Sequence, residues 1–132
     1  MRCIMCPGVR KSILIVDDEK DILDSLSGFL RRSGYGVVVA DTGAEGLKIA
    51  KKDIPSLIIL DLMLPDIDGS DIAAELLQNS ATREIPVIFL TSVVTKAEQE
   101  KTGEIIANRC IVAKPCRSEE ILELVKNRIG PA

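Results

Sequence analysis

The sequence predicts an α/β domain: a five-stranded parallel sheet with helices on both faces. Three features predict it. Five short apolar runs recur along the 132 residues: SILIV, GVVVA, LIIL, VIFL and CIVA. Each run is continuous, as in strands buried on both faces, whereas a sheet with one wet face alternates apolar and polar residues. Between the runs lie segments with apolar residues at helical spacing, and strands alternating with helices assemble as a covered parallel sheet.

The elements follow in order. Ser12–Val16 is the first strand, and from Glu19 the residues Ile22, Leu23, Leu26, Phe29 and Leu30 mark a helix ending near Ser33-Gly34. Gly36–Ala40 is β-branched and strand-like. Asp41 or Thr42 can cap a second helix that carries Ala44, Leu47 and Ala50 inward, with Pro55 beyond its end. Leu57–Leu60 is the third strand, followed by the turn-rich PDIDG and a helix running to Gln78. Pro86 precedes the fourth strand, Val87–Leu90. A helix of low apolar content is expected from about Thr95 to Ile106, then a fifth strand, Cys110–Ala113, and a final amphipathic helix, SEEILELVKNRI. Residues 1–10 and 130–132 are expected to be tails around a domain spanning 11–129. No repeat, linker or low-complexity segment is visible.

Composition narrows the chemistry. Apolar residues make up 46% of the chain, but it has two Phe, one Tyr and no Trp, so aliphatic side chains must build the core. A net charge of −3 argues against a nucleic-acid or membrane-surface binder, which needs a basic face. No window has the length of a membrane span, and no apolar segment follows the basic residue near the N-terminus, so a cytoplasmic protein is expected. The chain contains no histidine, which removes His-based acid–base catalysis, Ser–His–Asp and Cys–His systems and most catalytic zinc sites. Of the four cysteines, Cys3 and Cys6 have the spacing of half a zinc knuckle or a redox pair. They precede the first strand, away from Cys116, and with Cys110 they are read as ordinary thiols.

The polar residues that end the apolar runs carry the functional reading. Asp17, Asp18 and Glu19 follow strand one, Asp61 follows strand three, Thr91 and Ser92 follow strand four, and Lys114 and Pro115 follow strand five. Taken singly, each is an ordinary cap, turn or snorkelling residue. In a parallel sheet, however, all strand C-termini lie on one edge, where open α/β folds bind ligands. Gathered carboxylates repel one another unless a cation compensates. Lys114 supplies one positive charge, and the rest suits Mg²⁺, a hard ion that takes a few carboxylates plus water and phosphate oxygens. A carboxylate beside Mg²⁺ and lysine is a plausible nucleophile toward a phosphoryl group, with Thr91 donating to the phosphoryl oxygens.

In order and spacing, ILIVDDE, LIILDLMLPDIDG, VIFLTS and AKPC resemble the receiver domain of two-component response regulators, over about residues 11–129. The resemblance implies a doubly wound, flavodoxin-like sheet of order 2-1-3-4-5. It implies Asp61 as phosphoacceptor, Asp18 as a direct Mg²⁺ ligand and Asp17 acting mainly through water. Met63 would offer its backbone carbonyl to the metal, Thr91 would be the switch hydroxyl, and Lys114 would contact Asp61 and then the phosphate. The implied partners are a histidine kinase or histidine phosphotransfer protein, and a downstream protein or second copy. The face for the latter would comprise residues 95–106, the Cys110–Ala113 strand and the last helix. Neither direct nucleic-acid binding nor membrane attachment is implied. Turnover would be limited to self-phosphorylation from a phosphodonor and autodephosphorylation.

Three positions depart from the family pattern. Ile111 stands where an aromatic ring usually reports the switch, Ser92 where a small residue is usual, and Cys116 where Phe is frequent. Two other functions are consistent with parts of the pattern. One is a pseudo-receiver that makes protein contacts without phosphorylation. The other is a metal-dependent phosphohydrolase, which wants a second acid two residues after the nucleophile, where this chain has Met63.

Overall fold

The computed structural model describes residues 11–62, 64–91, 105–106, 109–113 and 117–132. Its strands are β1 (Ser12–Val16), β2 (Gly36–Ala40), β3 (Leu57–Asp61), β4 (Val87–Thr91), β5 (Ile105–Ile106) and β6 (Arg109–Ala113). The helices among the described residues are α1 (Lys20–Arg32), α2 (Gly43–Asp53), α3 (Gly69–Gln78) and α4 (Ser118–Ile129). The sheet order is β2-β1-β3-β4-β6-β5. The first five strands of that order pair in parallel, which is the expected 2-1-3-4-5 arrangement.

β5 is the addition. Ile105 and Ile106 lie antiparallel to β6, opposite Cys110 and Arg109, so the helix expected to reach Ile106 does not include them. β-branched residues suit an extended rim better than a helix end. The remainder of that expected helix, from Thr95, lies outside the described residues.

Alternate residues of each strand feed two separate cores. Ile13, Ile15, Leu57, Ile59, Ile88, Leu90 and Val112 pack with Leu23, Leu26 and Leu30 of α1 and with Ile121 and Val125 of α4. Leu14, Val16, Ile58, Leu60, Val87 and Phe89 pack on the other face with Ala50 of α2 and with Ile72, Ala73 and Leu76 of α3. Burial on both faces is what the continuous apolar runs require. In α2 the inward positions are Gly43, Gly46 and Ala50, with Leu47 half-buried; Ala44, expected inward, is exposed. Gly46 replaces it because α2 lies very close to the sheet: a Cβ at Gly46 would stand 2.6 Å from Val16 Cγ2.

The edge opposite the strand C-termini is closed by the C-terminal segment. The buried Tyr35 hydroxyl donates to the Gly130 carbonyl at 2.7 Å, and Lys11 Nζ donates to the Pro131 carbonyl at 2.9 Å. Gly34 supports this junction with φ +103°, a left-handed turn after α1 that favours glycine. Tyr35→Phe keeps the ring and removes one hydrogen bond, so it is expected to cost about 1 kcal/mol, seen as a lower denaturant midpoint at unchanged m-value.

Candidate functional site

The acids predicted to gather at the strand C-termini do so. The β1 backbone continues past Val16, with Asp17 N–H donating to the Ala40 carbonyl at 3.1 Å, which fixes Asp17 under the edge with no solvent exposure. Its Oδ1 accepts from Glu19 N–H at 3.0 Å, turning the chain into α1 and leaving Asp18 and Glu19 exposed. Asp61 is the last residue of β3 and only 3% exposed. It pairs in register with Leu90, and the next amide, Leu62 N–H, donates to the Leu90 carbonyl at 3.0 Å. Asp61 is thus set by sheet pairing rather than by a free loop.

Carboxylate oxygens of Asp17, Asp18, Glu19 and Asp61 all lie within 4.8 Å of one another. Opposite oxygens of an Mg²⁺ octahedron are about 4.2 Å apart, so small side-chain adjustments or intervening waters suffice to hold such an ion here. The donors are all hard oxygens, which suits Mg²⁺ and not a thiophilic metal. Glu19 is the member to which the family resemblance assigned no role. It occupies the N-cap position of α1 without a side-chain capping bond, and its carboxylate joins the cluster.

Among the remaining predicted residues, Thr91 ends β4, paired in register with Ala113 at the end of β6. Its backbone therefore reaches the same edge as Asp61. Met63, Lys114, Ser92, Cys3, Cys6 and Cys116 lie outside the described residues. Ile111 is half-buried on β6, packed with the core cluster on the α2–α3 face.

The turn from β3 into α3 carries a further residue that the sequence did not single out. Asp66 Oδ1 accepts from Gly43 N–H at 2.9 Å, and Oδ2 accepts from Ala44 N–H at 3.0 Å. These backbone donors hold the Asp66 carboxyl below the usual carboxylate range. A depressed folded-state value stabilises the fold above the unfolded value of about 3.9, and that stabilisation is lost as pH falls through the folded value. The Tm gap between wild type and Asp66→Ala is therefore expected to be full at pH 6 and to close in stronger acid, as a melting series in pH would show.

The family profile for the response regulator receiver domain matches residues 13–126. The chain is 43% identical over 84 residues to the alkaline phosphatase synthesis transcriptional regulatory protein PhoP of Bacillus subtilis, covering 64% of this chain but only 34% of PhoP. It is 29% identical over 122 residues to the polar-differentiation response regulator DivK of Brucella ovis, covering 92% of this chain and 98% of DivK. Among solved structures it is similar to the receiver domain of the sensor histidine kinase PA1611 from Pseudomonas aeruginosa, which has a magnesium ion coordinated in its active-site cleft. That similarity has a TM-score of 0.79 and 25% identity, covering 92% of this chain and 99% of the other.

Proposed function

The chain belongs to the response regulator receiver domain family of two-component systems, and from that membership we propose that Asp61 accepts a phosphoryl group in an Mg²⁺-dependent transfer. The supporting observation is the buried Asp61 at the end of β3, with Asp17, Asp18 and Glu19 carboxylate oxygens within 4.8 Å. Isolated burial of a carboxylate is costly, and its persistence beside other acids suits a site designed around a cation.

In this reading an Asp61 carboxylate oxygen attacks phosphorus. The bond to the donor imidazole or acyl oxygen breaks with its electrons going to the leaving group, and an aspartyl phosphate remains. Bound Mg²⁺ would neutralise charge on the phosphoryl oxygens. Asp18, exposed at the edge, would be a direct ligand, and Met63 would offer its carbonyl. Asp17, whose Oδ1 is already engaged by Glu19 N–H, would act mainly through water. Lys114 and the Thr91 hydroxyl contact the phosphoryl oxygens. The phosphoryl donor is a histidine kinase or histidine phosphotransfer protein. The output is a protein contact, with a target or a second copy, through the face of β6, α4 and residues 95–106. Catalysis is confined to acquiring and losing this phosphoryl group, in the cytoplasm, by a receiver spanning 11–129.

Mg²⁺ tests the site directly. Free Mg²⁺ at a hundred times its Kd is expected to add about 2.7 kcal/mol of stability, read as a rise in Tm. Asp18→Asn should need at least about tenfold more Mg²⁺ for the same rise, a penalty of about 1.4 kcal/mol. A beryllofluoride mimic on Asp61 should then alter amide exchange on β6 and α4. A Tm indifferent to Mg²⁺, together with no response to the mimic, would contradict the proposal.

A further inference from the structure

The first turn of a helix has amide donors with no intrahelical partner. In α2 they are divided between two chain segments. The Thr42 hydroxyl accepts from Glu45 N–H at 3.2 Å, an ordinary cap, and Gly46 N–H donates to the Thr42 carbonyl within the helix at 3.0 Å. The two donors left, Gly43 and Ala44 N–H, are both taken by the Asp66 carboxylate, which lies 23 and 22 residues away along the chain. Asp66 belongs to the segment that leaves Asp61 and enters α3. Both ends of that segment are also fixed: Leu62 N–H donates to the Leu90 carbonyl, and Gly69 N–H donates to the Leu62 carbonyl at 3.1 Å. Its apolar residues Leu64 and Ile67 pack on the α2–α3 core cluster. The approach is close as well as polar. A Cβ at Gly43 would come within 2.8 Å of Ile72 Cδ1, 3.1 Å of Ile67 Cβ and 3.2 Å of Asp66 Oδ1.

We propose that Asp66 is a positioning residue for phosphoryl transfer, tethering the β3–α3 turn to the N-terminus of α2 so that the backbone after Asp61 keeps its site geometry. This rests on the receiver reading of Asp61. The carboxylate does this better than an amide because both of its oxygens accept, and the two donors are adjacent amides at the positive end of the α2 dipole. An asparagine retains one acceptor and an alanine none. Small misplacement of a reacting group slows transfer far more than it costs stability.

The test compares wild type, Asp66→Asn and Asp66→Ala in two independent measurements. Labelling by acetyl phosphate in saturating Mg²⁺ is expected to slow by about tenfold in Asp66→Ala and by less in Asp66→Asn, with the fold retained by circular dichroism. Amide exchange is expected to rise at Gly43 and Ala44 and also at Leu62 and Gly69, whose N–H groups donate to Leu90 and Leu62 and not to Asp66. Exchange that rises only at Gly43 and Ala44, or labelling at the wild-type rate, would show a local helix cap and overturn the tether. Wild type that takes no label would instead sink the receiver reading, and the exchange pattern at Leu62 and Gly69 would still decide whether Asp66 holds the turn.

Discussion

Asp61→Asn is expected to reduce phosphoryl incorporation from acetyl phosphate or a kinase partner by at least about two orders of magnitude, to background. The change is nearly isosteric, so the end of β3 should keep its pairing with Leu90 and its burial. What disappears is the anionic oxygen that attacks phosphorus; an amide oxygen is a far weaker nucleophile. The neighbouring acids are poor substitutes, because Asp17 has an oxygen committed to Glu19 N–H and Asp18 and Glu19 lie beyond the strand end. The same substitution removes a charge from a crowded acidic cluster. Without Mg²⁺ the variant should therefore melt at or above the wild-type temperature, while the Mg²⁺-dependent rise shrinks. Intact-mass measurement after acetyl phosphate treatment reads the first effect and paired melts read the second. Undiminished labelling would move the acceptor to another residue.

Gly69→Ala is expected to be the most damaging single-methyl change near the site. A Cβ there would stand 2.5 Å from the Asp61 carbonyl oxygen and 2.7 Å from Leu62 Cα. Both are backbone atoms, so no flexible side chain can yield, and either α3 or the end of β3 must shift. Overpacking of this kind costs about 3 kcal/mol, which for a domain of this size lowers Tm by roughly 10 °C. Because the displaced atoms belong to Asp61 and the residue after it, labelling should slow beyond what the unfolded fraction explains. Gly46→Ala makes a useful contrast. Its clash is with the Val16 side chain, in the core cluster on the α2–α3 face, and not with backbone atoms of Asp61 or Leu62. It should lower stability with little change in the labelling rate of the folded protein. A Gly69→Ala variant with wild-type melting would mean that the turn relaxes freely.

The elements easiest to read in the sequence were those whose pattern is local. β1 and β2 run Ser12–Val16 and Gly36–Ala40 as the apolar runs suggest, and α3 and α4 end at Gln78 and Ile129 as their periodicity suggests. Site residues at strand ends were legible for the same reason, since strand direction alone brings Asp17 and Asp61 to one edge. Asp61 proved to be within β3, one residue beyond the apolar run, because ladder pairing with Leu90 does not depend on side-chain polarity. Failures occurred where a distant partner decides. Ala44 looked inward by spacing, yet close packing on Val16 selects glycine at position 46 instead. The two isoleucines at 105–106 suited a helical stripe until β6 offered a strand to pair with. Asp66 looked like one more turn acid, because nothing in PDIDG reveals that α2 has two amides in need of an acceptor.

The Tyr35 hydrogen bond to Gly130 has a practical meaning as well. With no Trp and one Tyr, the chain carries a single intrinsic fluorophore, and it sits at the sheet edge opposite Asp61. Its emission is a built-in gauge of the clasp between the α1–β2 turn and the C-terminal segment. Ultraviolet fluorescence will therefore follow unfolding faithfully while remaining nearly blind to chemistry at the acidic edge. Kinetic work on phosphoryl transfer calls for a second chromophore placed at the acidic edge itself, beside Asp17 and Asp61.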